Sequence, residues 1–239
     1  MLGLSHSLSF SLSDIHADIW HADALGTPTM QVYPTGDAAL DAQLPGGGWP
    51  VGAMTEILQA AGVHSEWRLL LPALMATKQA VLLVGPPHLP FAPALAAQGL
   101  TVQRLLSVST TLASQRLWAT EQALRCAEVD AVLLWLPPSV KDAVRTDQLR
   151  RLQIAAAEHQ KLLFVMRPDS VQDEASPAVL RVWVGPKLSS QEDGLEVQVR
   201  KRRGPPMATP LALRARAPRL GLLLAAARNH ALDRATARI

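Results

Sequence analysis

The chain has one cysteine, Cys126, so no disulfide can form within it. Cys126 falls inside a helical pattern over 115–129, where a buried thiol is expected rather than a nucleophile. Aromatic residues make up 4% of the sequence. That is too few to line a groove that stacks successive bases, and it argues against a dedicated single-strand DNA site while leaving weak or indirect DNA contact open. No apolar run is long enough to span a membrane; the longest, at 220–227, is short and flanked by arginines. No basic start followed by an apolar signal core opens the sequence, so a cytoplasmic protein with no membrane association is expected. His64, His88 and His159 lack metal-ligand spacing. No nucleophile elbow accompanies the serines, which leaves hydrolase chemistry without support.

What is present is a long hydrophobic complement, 49% of 239 residues, enough for one sizeable core with short extensions. Net charge is only +3, but it is unevenly spread: residues 200–239 hold ten Lys/Arg against one acid, while the rest hold 13 against 19. A basic C-terminal surface of this kind suits an acidic partner, protein or nucleic acid, the alternative being a solvated basic tail. From residue 37 the text alternates. Strands are predicted at 52–58, 80–84, 102–107, 131–136 and 161–166, separated by helices at 65–76, 92–98, 114–127 and 146–158. Uninterrupted apolar strands between amphipathic helices predict an α/β fold with a mostly parallel sheet flanked by helices. Two further stretches, 178–184 and 195–201, alternate in and out as antiparallel edge strands do. The 45–50 turn, Pro-Gly-Gly-Gly-Trp-Pro, requires positive φ. The expected organisation is an N-terminal extension over 1–35, a core over 36–213 and a basic tail over 214–239. The extension carries a possible short strand at 7–13, and the tail a possible amphipathic helix at 220–235.

Between the first long strand and its helix runs Gln59-Ala-Ala-Gly62-Val-His-Ser65-Glu66. A phosphate-binding loop at such a junction presents backbone N–H groups, then a lysine, then a Ser/Thr for Mg²⁺. Here one glycine remains, no lysine follows, and Glu66 brings a carboxylate that would repel phosphate. The frame itself resembles the RecA family. Thr35-Gly-Asp-Ala-Ala-Leu40-Asp41, Leu44-Pro-Gly-Gly-Gly48-Trp-Pro50-Val-Gly52 and Thr55-Glu-Ile-Leu58 look like the lead-in to a RecA core. The resemblance implies a RecA-like, P-loop-type fold with a degenerate nucleotide site. In it, the phosphate-loop lysine falls on Ser65 and its metal-binding threonine on Glu66. The catalytic glutamate falls on Pro87, the Walker B aspartate on Trp135 and the sensor glutamine on Pro168. All five parts of the phosphoryl-transfer apparatus are thus replaced, so no catalytic residue, no cofactor and no ATP turnover are expected.

More narrowly, the chain is similar to the ImuA family, RecA-like accessory proteins of bacterial translesion synthesis. The likeness rests on Trp20…Asp23-Ala-Leu25, Pro86-Pro-His-Leu-Pro-Phe-Ala-Pro-Ala94, Leu117-Trp-Ala119, Glu121-Gln-Ala-Leu-Arg125, Leu149-Arg-Arg-Leu-Gln153 and Arg200-Lys-Arg-Arg-Gly204. It implies work beside an ImuB-like protein, RecA and an error-prone DnaE-type polymerase in the DNA damage (SOS) response. The rival readings are a SulA-type cell division inhibitor and an enzyme with a relocated nucleotide site. Candidate partner-binding residues are Phe10 and Trp20 in the extension, Lys201, Arg202 and Arg203 after the last predicted strand, and Arg219, Arg228 and Arg234 in the tail. Lys201 and Arg203 fall on two lysines that in RecA reach a neighbouring subunit's nucleotide; the alternative is a solvated strand end. Trp135 is expected to be buried packing in the vacated site. Trp49 is read as a cap over the sheet edge or as an interface anchor.

Overall fold

A computed structural model of the 239-residue chain describes residues 30–60, 63–136, 143–186, 194–205 and 207–214. Two compact units divide the chain, Met1–Met30 and Gln31–Ile239, and everything below concerns the second.

A two-residue strand β1 (Val32–Tyr33) pairs with β2 (Trp49–Pro50), and between them lies a single turn of helix, α1 (Ala38–Asp41). Asp37 caps α1 by accepting from the Ala39 and Leu40 N–H groups, at 2.9 and 3.1 Å. The glycine turn has the conformation its sequence demands, with Gly46 and Gly47 at φ +80° and +81°. At Gly48 a Cβ would lie 2.4 Å from the Tyr33 carbonyl oxygen, so no other residue could bring β2 against β1.

The rest alternates: β3 (Ala53–Gln59), α2 (Glu66–Ala76), β4 (Ala80–Val84), α3 (Ala92–Ala97), β5 (Leu105–Val108), α4 (Ala113–Arg125), β6 (Val129–Trp135), α5 (Thr146–His159) and β7 (Leu162–Pro168). Then β8 (Leu180–Pro186), β9 (Gly194–Lys201) and β10 (Leu211–Arg214) complete an eight-stranded sheet. Its order is β10-β9-β8-β3-β7-β6-β4-β5. All neighbours from β8 to β5 run parallel, and β9 and β10 run antiparallel. The expected α/β architecture with a mostly parallel, helix-flanked sheet is therefore present.

Burial follows the period of two along each strand. Leu133, Trp135, Phe164 and Met166 face one side, where they pack with Leu69, Leu70 and Leu74 of α2. Val132, Leu134, Leu163 and Val165 face the other, against Leu117 and Leu124 of α4 and Leu149 and Leu152 of α5. Covering both faces is what lets these strands dispense with polar residues.

Three expectations need correction. Strands β8 and β9 are interior, not edge: β8 pairs in parallel with β3, and β9 is covered by β10. For β8 the cause is its place between β3 and β9; for β9 it is β10, whose Leu-Ala-Leu-Arg alternates too briefly to be read as a strand, though Leu213 is buried. Cys126 is exposed, because α4 stops at Arg125 and Cys126 takes an extended conformation, φ −78° and ψ 126°. Finally, 102–107 is not one strand: Val102–Arg104 forms a 3-10 turn, and Arg104 turns back to donate to Gln79 O, Leu74 O and Thr77 Oγ1.

Candidate functional site

Parallel strands end together, and their carboxyl ends form the crevice in which open α/β sheets bind ligands. Here β3 runs to β4 across the positions later filled by β7 and β6, so the connections diverge above the sheet. The resulting cleft, about 430 Å³, is lined by the ends of β3, β6 and β7, by His64, and by Gly85-Pro86-Pro87 after β4. Pro87, Trp135 and Pro168 all line it, while Ser65 and Glu66 stand at the adjoining start of α2. The five positions singled out from the sequence are thus brought to one place.

At Ser65, Pro87 and Pro168 no backbone N–H is free for a phosphate. The Ser65 backbone N–H, which a phosphate loop would offer to its ligand, donates instead to Gln59 Oε1 at 2.9 Å. Pro87 and Pro168 have no N–H to offer. Glu66 is 4% exposed, and as the first residue of α2 it places its carboxylate where the helix end favours negative charge. Its Oε1 lies 4.0 Å from His64 Nδ1, and its Oε2 is buried without a hydrogen-bond partner. His64 in turn packs edge-on against His88, ring centres 5.1 Å apart, joining the loops after β3 and β4. Trp135 is 7% exposed, as expected for packing, but it forms a wall of the cleft rather than filling it. Trp49 is fully buried and meets the edge of Phe164 at 5.6 Å, so it is a core residue and not an interface anchor.

Two arginines in the lining were not anticipated. Arg116 of α4 lies over Gly85, where a Cβ would sit 2.5–2.9 Å from its side-chain atoms. Its Nε donates to Thr110 O at 3.0 Å and its Nη1 to Trp135 O at 2.7 Å, so it ties α4 to the end of β6. Burial lowers its pKa. Arg167, at the end of β7, belongs to a buried ionic network around Glu56. Glu56 lies fully buried in mid-strand β3. It accepts from Arg181 Nε at 2.7 Å, Ser176 Oγ at 2.8 Å and Arg167 Nη1 at 3.4 Å. Arg167 also pairs with Glu174 at 2.9 Å, and Arg181 donates to the carbonyls of Val171, Gln172 and Glu174. The network fixes the 169–178 connection across the end of the sheet. Its sequence signal was charge inside otherwise apolar strands: Glu56, Arg167 and Arg181.

Among the basic candidates, Lys201 is exposed at the end of β9 and donates to Ser176 O at 2.8 Å. Arg202 turns inward, donating to Gln43 O, Gln43 Oε1 and Pro205 O, so most of its hydrogen bonding is spent within the chain. Arg203 is exposed. Phe10, Trp20, Arg219, Arg228 and Arg234 lie outside the described residues, as do the possible strand at 7–13 and helix at 220–235. Among the described residues, no group of three or more His, Cys, Asp or Glu could hold a metal ion, and no helix is long and apolar enough to cross a membrane. No family model matches this chain, and no curated protein matches it.

Proposed function

We propose that this chain is a non-catalytic, RecA-like protein of the ImuA type, acting by binding an ImuB-like protein and RecA to help place an error-prone DnaE-type polymerase at damaged DNA. The observation that carries this reading is that Pro87, Trp135 and Pro168 line one cleft at the carboxyl ends of the sheet, with Ser65 and Glu66 at the adjoining start of α2. The cleft stands where a nucleotide would bind in such a fold, yet proline, tryptophan and methionine make up much of its lining beside Arg116 and Arg167, and one of the amide donors nearby is already spent. Phosphoryl transfer depends on positioned charge and metal, so a cleft of this make-up serves binding or packing, not turnover.

Partner contact in this reading falls on the basic C-terminal portion, where Lys201 and Arg203 are exposed and the charge excess of the sequence is concentrated. The test pairs two measurements on the full chain. Equilibrium binding of labelled ATP with Mg²⁺ is expected to show no saturation at micromolar concentrations. Pull-down is expected to capture an ImuB-like protein, and a chain truncated before Ala215 is expected to keep its fold but lose that capture. The cut must follow Arg214, because β10 is part of the sheet and Leu213 is buried in it. Saturable ATP binding, or capture of the tubulin-like division ring protein in place of the ImuB-like protein, would overturn the reading.

A further inference from the structure

The cleft has a mixed lining. Pro86, Pro87, Leu136, Met166 and Pro168 are apolar, and none offers a side-chain hydrogen bond. Gln59, His64, Arg167 and Arg116 bring the polar groups, Arg116 lying over Gly85. The Arg116 guanidinium is half-buried, and among the described residues its hydrogen-bond acceptors are the Thr110 and Trp135 carbonyl oxygens. It has five N–H donors, and its Nη2 amino group has no acceptor among the described residues. Among the described residues no carboxylate lines the cleft, whereas the second arginine there, Arg167, is matched by Glu56 and Glu174. One positive charge is therefore left uncompensated against an apolar wall. The Trp135 indole also lines the cleft, and among the described residues its buried N–H has no acceptor. The volume, about 430 Å³, falls within the range of small-molecule sites.

We propose that this cleft binds a small organic anion: one acidic group held by Arg116, and a flat apolar body laid against the proline, methionine and tryptophan wall. Polyphosphates are excluded by the same features. Pro87 and Pro168 supply no N–H, the Ser65 amide is taken by Gln59, and a single unmatched arginine cannot balance several phosphate charges. The inference is independent of the partner-binding role, because it concerns the opposite resource of the molecule: a cleft rather than the basic C-terminal portion.

The probe is 1-anilinonaphthalene-8-sulfonate, an apolar anion that fluoresces when it leaves water, with its uncharged counterpart N-phenyl-1-naphthylamine for comparison. The full chain is expected to bind the sulfonate at one site, with a Kd on the order of tens of micromolar from the usual efficiency of ligands this size. Binding should quench tryptophan fluorescence. Arg116→Met should weaken it about tenfold or more, the value of a charge-assisted hydrogen bond in a partly desolvated site. Arg116→Lys should retain most of the affinity, and Arg203→Met, at an exposed position, all of it. Circular dichroism and melting curves establish that each variant is folded. The comparison of charged and uncharged probes on the unaltered chain stands even if an Arg116 variant fails to fold. Equal affinity for the two probes would overturn the proposal, as would equal loss in the Arg116→Met and Arg203→Met variants, or no saturable binding. Displacement of the sulfonate by micromolar Mg·ATP would overturn it in favour of a nucleotide.

Discussion

Arg167 and Arg116 both line the cleft, but one is matched and the other is not. Arg167 is 7% exposed and sits between Glu56 and Glu174, with Arg181 completing the buried network. Arg116 is less buried, and its hydrogen bonds end on neutral carbonyl oxygens. A deeply buried charge costs several kcal/mol unless it is paired and its lone pairs and protons are satisfied, so the interior of β3, β7 and β8 accepts charge only as a closed set. At the cleft rim water still reaches the guanidinium, and the same fold tolerates an unpaired cation. The difference separates a structural device from a surface that can still take a ligand.

The largest expected effect comes from disturbing Trp135, which lines the cleft with both arginines. Trp135→Asp removes a 7% exposed indole from the core beneath the cleft and puts a carboxylate in its place. Loss of a buried tryptophan alone costs about 3–5 kcal/mol, and the introduced charge adds to it, so the variant should fail to fold or melt far below the parent. Urea denaturation followed by circular dichroism measures this. A stable variant would show that Trp135 belongs to the open cleft and not to the core.

Next in size is Glu56→Leu. It leaves Arg181 with its three carbonyl acceptors and Arg167 with Glu174, but strips both of their central counter-charge. Breaking a buried set by removing one member costs about 3–5 kcal/mol, and the melting temperature should fall accordingly. Glu56→Gln keeps the shape and can still accept a hydrogen bond, so it should cost less. Replacing all three of Glu56, Arg167 and Arg181 by apolar residues should not restore full stability, because Arg181 also satisfies the Val171, Gln172 and Glu174 carbonyls. Recovery in that triple variant would mean the network is dispensable.

The alternation of apolar strands and amphipathic helices was enough to place the parallel sheet, since each buried strand of five to seven residues carries its own unmistakable composition. Strands β4 and β6 to β7 fall where the apolar runs lie. Pairing was harder. Whether β9 lies at an edge depends on β10, four residues that pair with β9 and of which Leu213 is buried, too few to show a pattern of their own. The Glu56 network was missed for a similar reason. Charge inside an apolar strand is visible in sequence, but its partners come from residues 111 to 125 positions away, and only the strand order brings them together. Arg116 was hidden differently, as one of two arginines on an amphipathic helix; nothing local marks it as the one lying over Gly85.

The smallest expected effect lies at the far end of this scale of burial. Arg145 and Asp147, at the start of α5, form a two-pronged pair at 2.9 and 3.0 Å, with both side chains largely exposed. The hydrogen bond from Arg145 holds the Asp147 carboxyl below its ordinary pKa. A carboxyl whose folded-state pKa is depressed contributes stability above the unfolded value, and that contribution disappears as pH falls through the folded one. Asp147→Asn should therefore lower the melting temperature slightly at neutral pH, and the difference should vanish below the ordinary carboxylate range. High salt should shrink it as well, because water and ions screen an exposed pair. Paired melting curves of parent and variant across pH 2–7, at low and high salt, read this directly. If the difference persisted at the acid end, Asp147 would be acting through the helix terminus by shape or hydrogen bonding instead of charge. If it rivalled the loss in Glu56→Leu, burial would no longer explain why the molecule closes one set of charges and leaves Arg116 open.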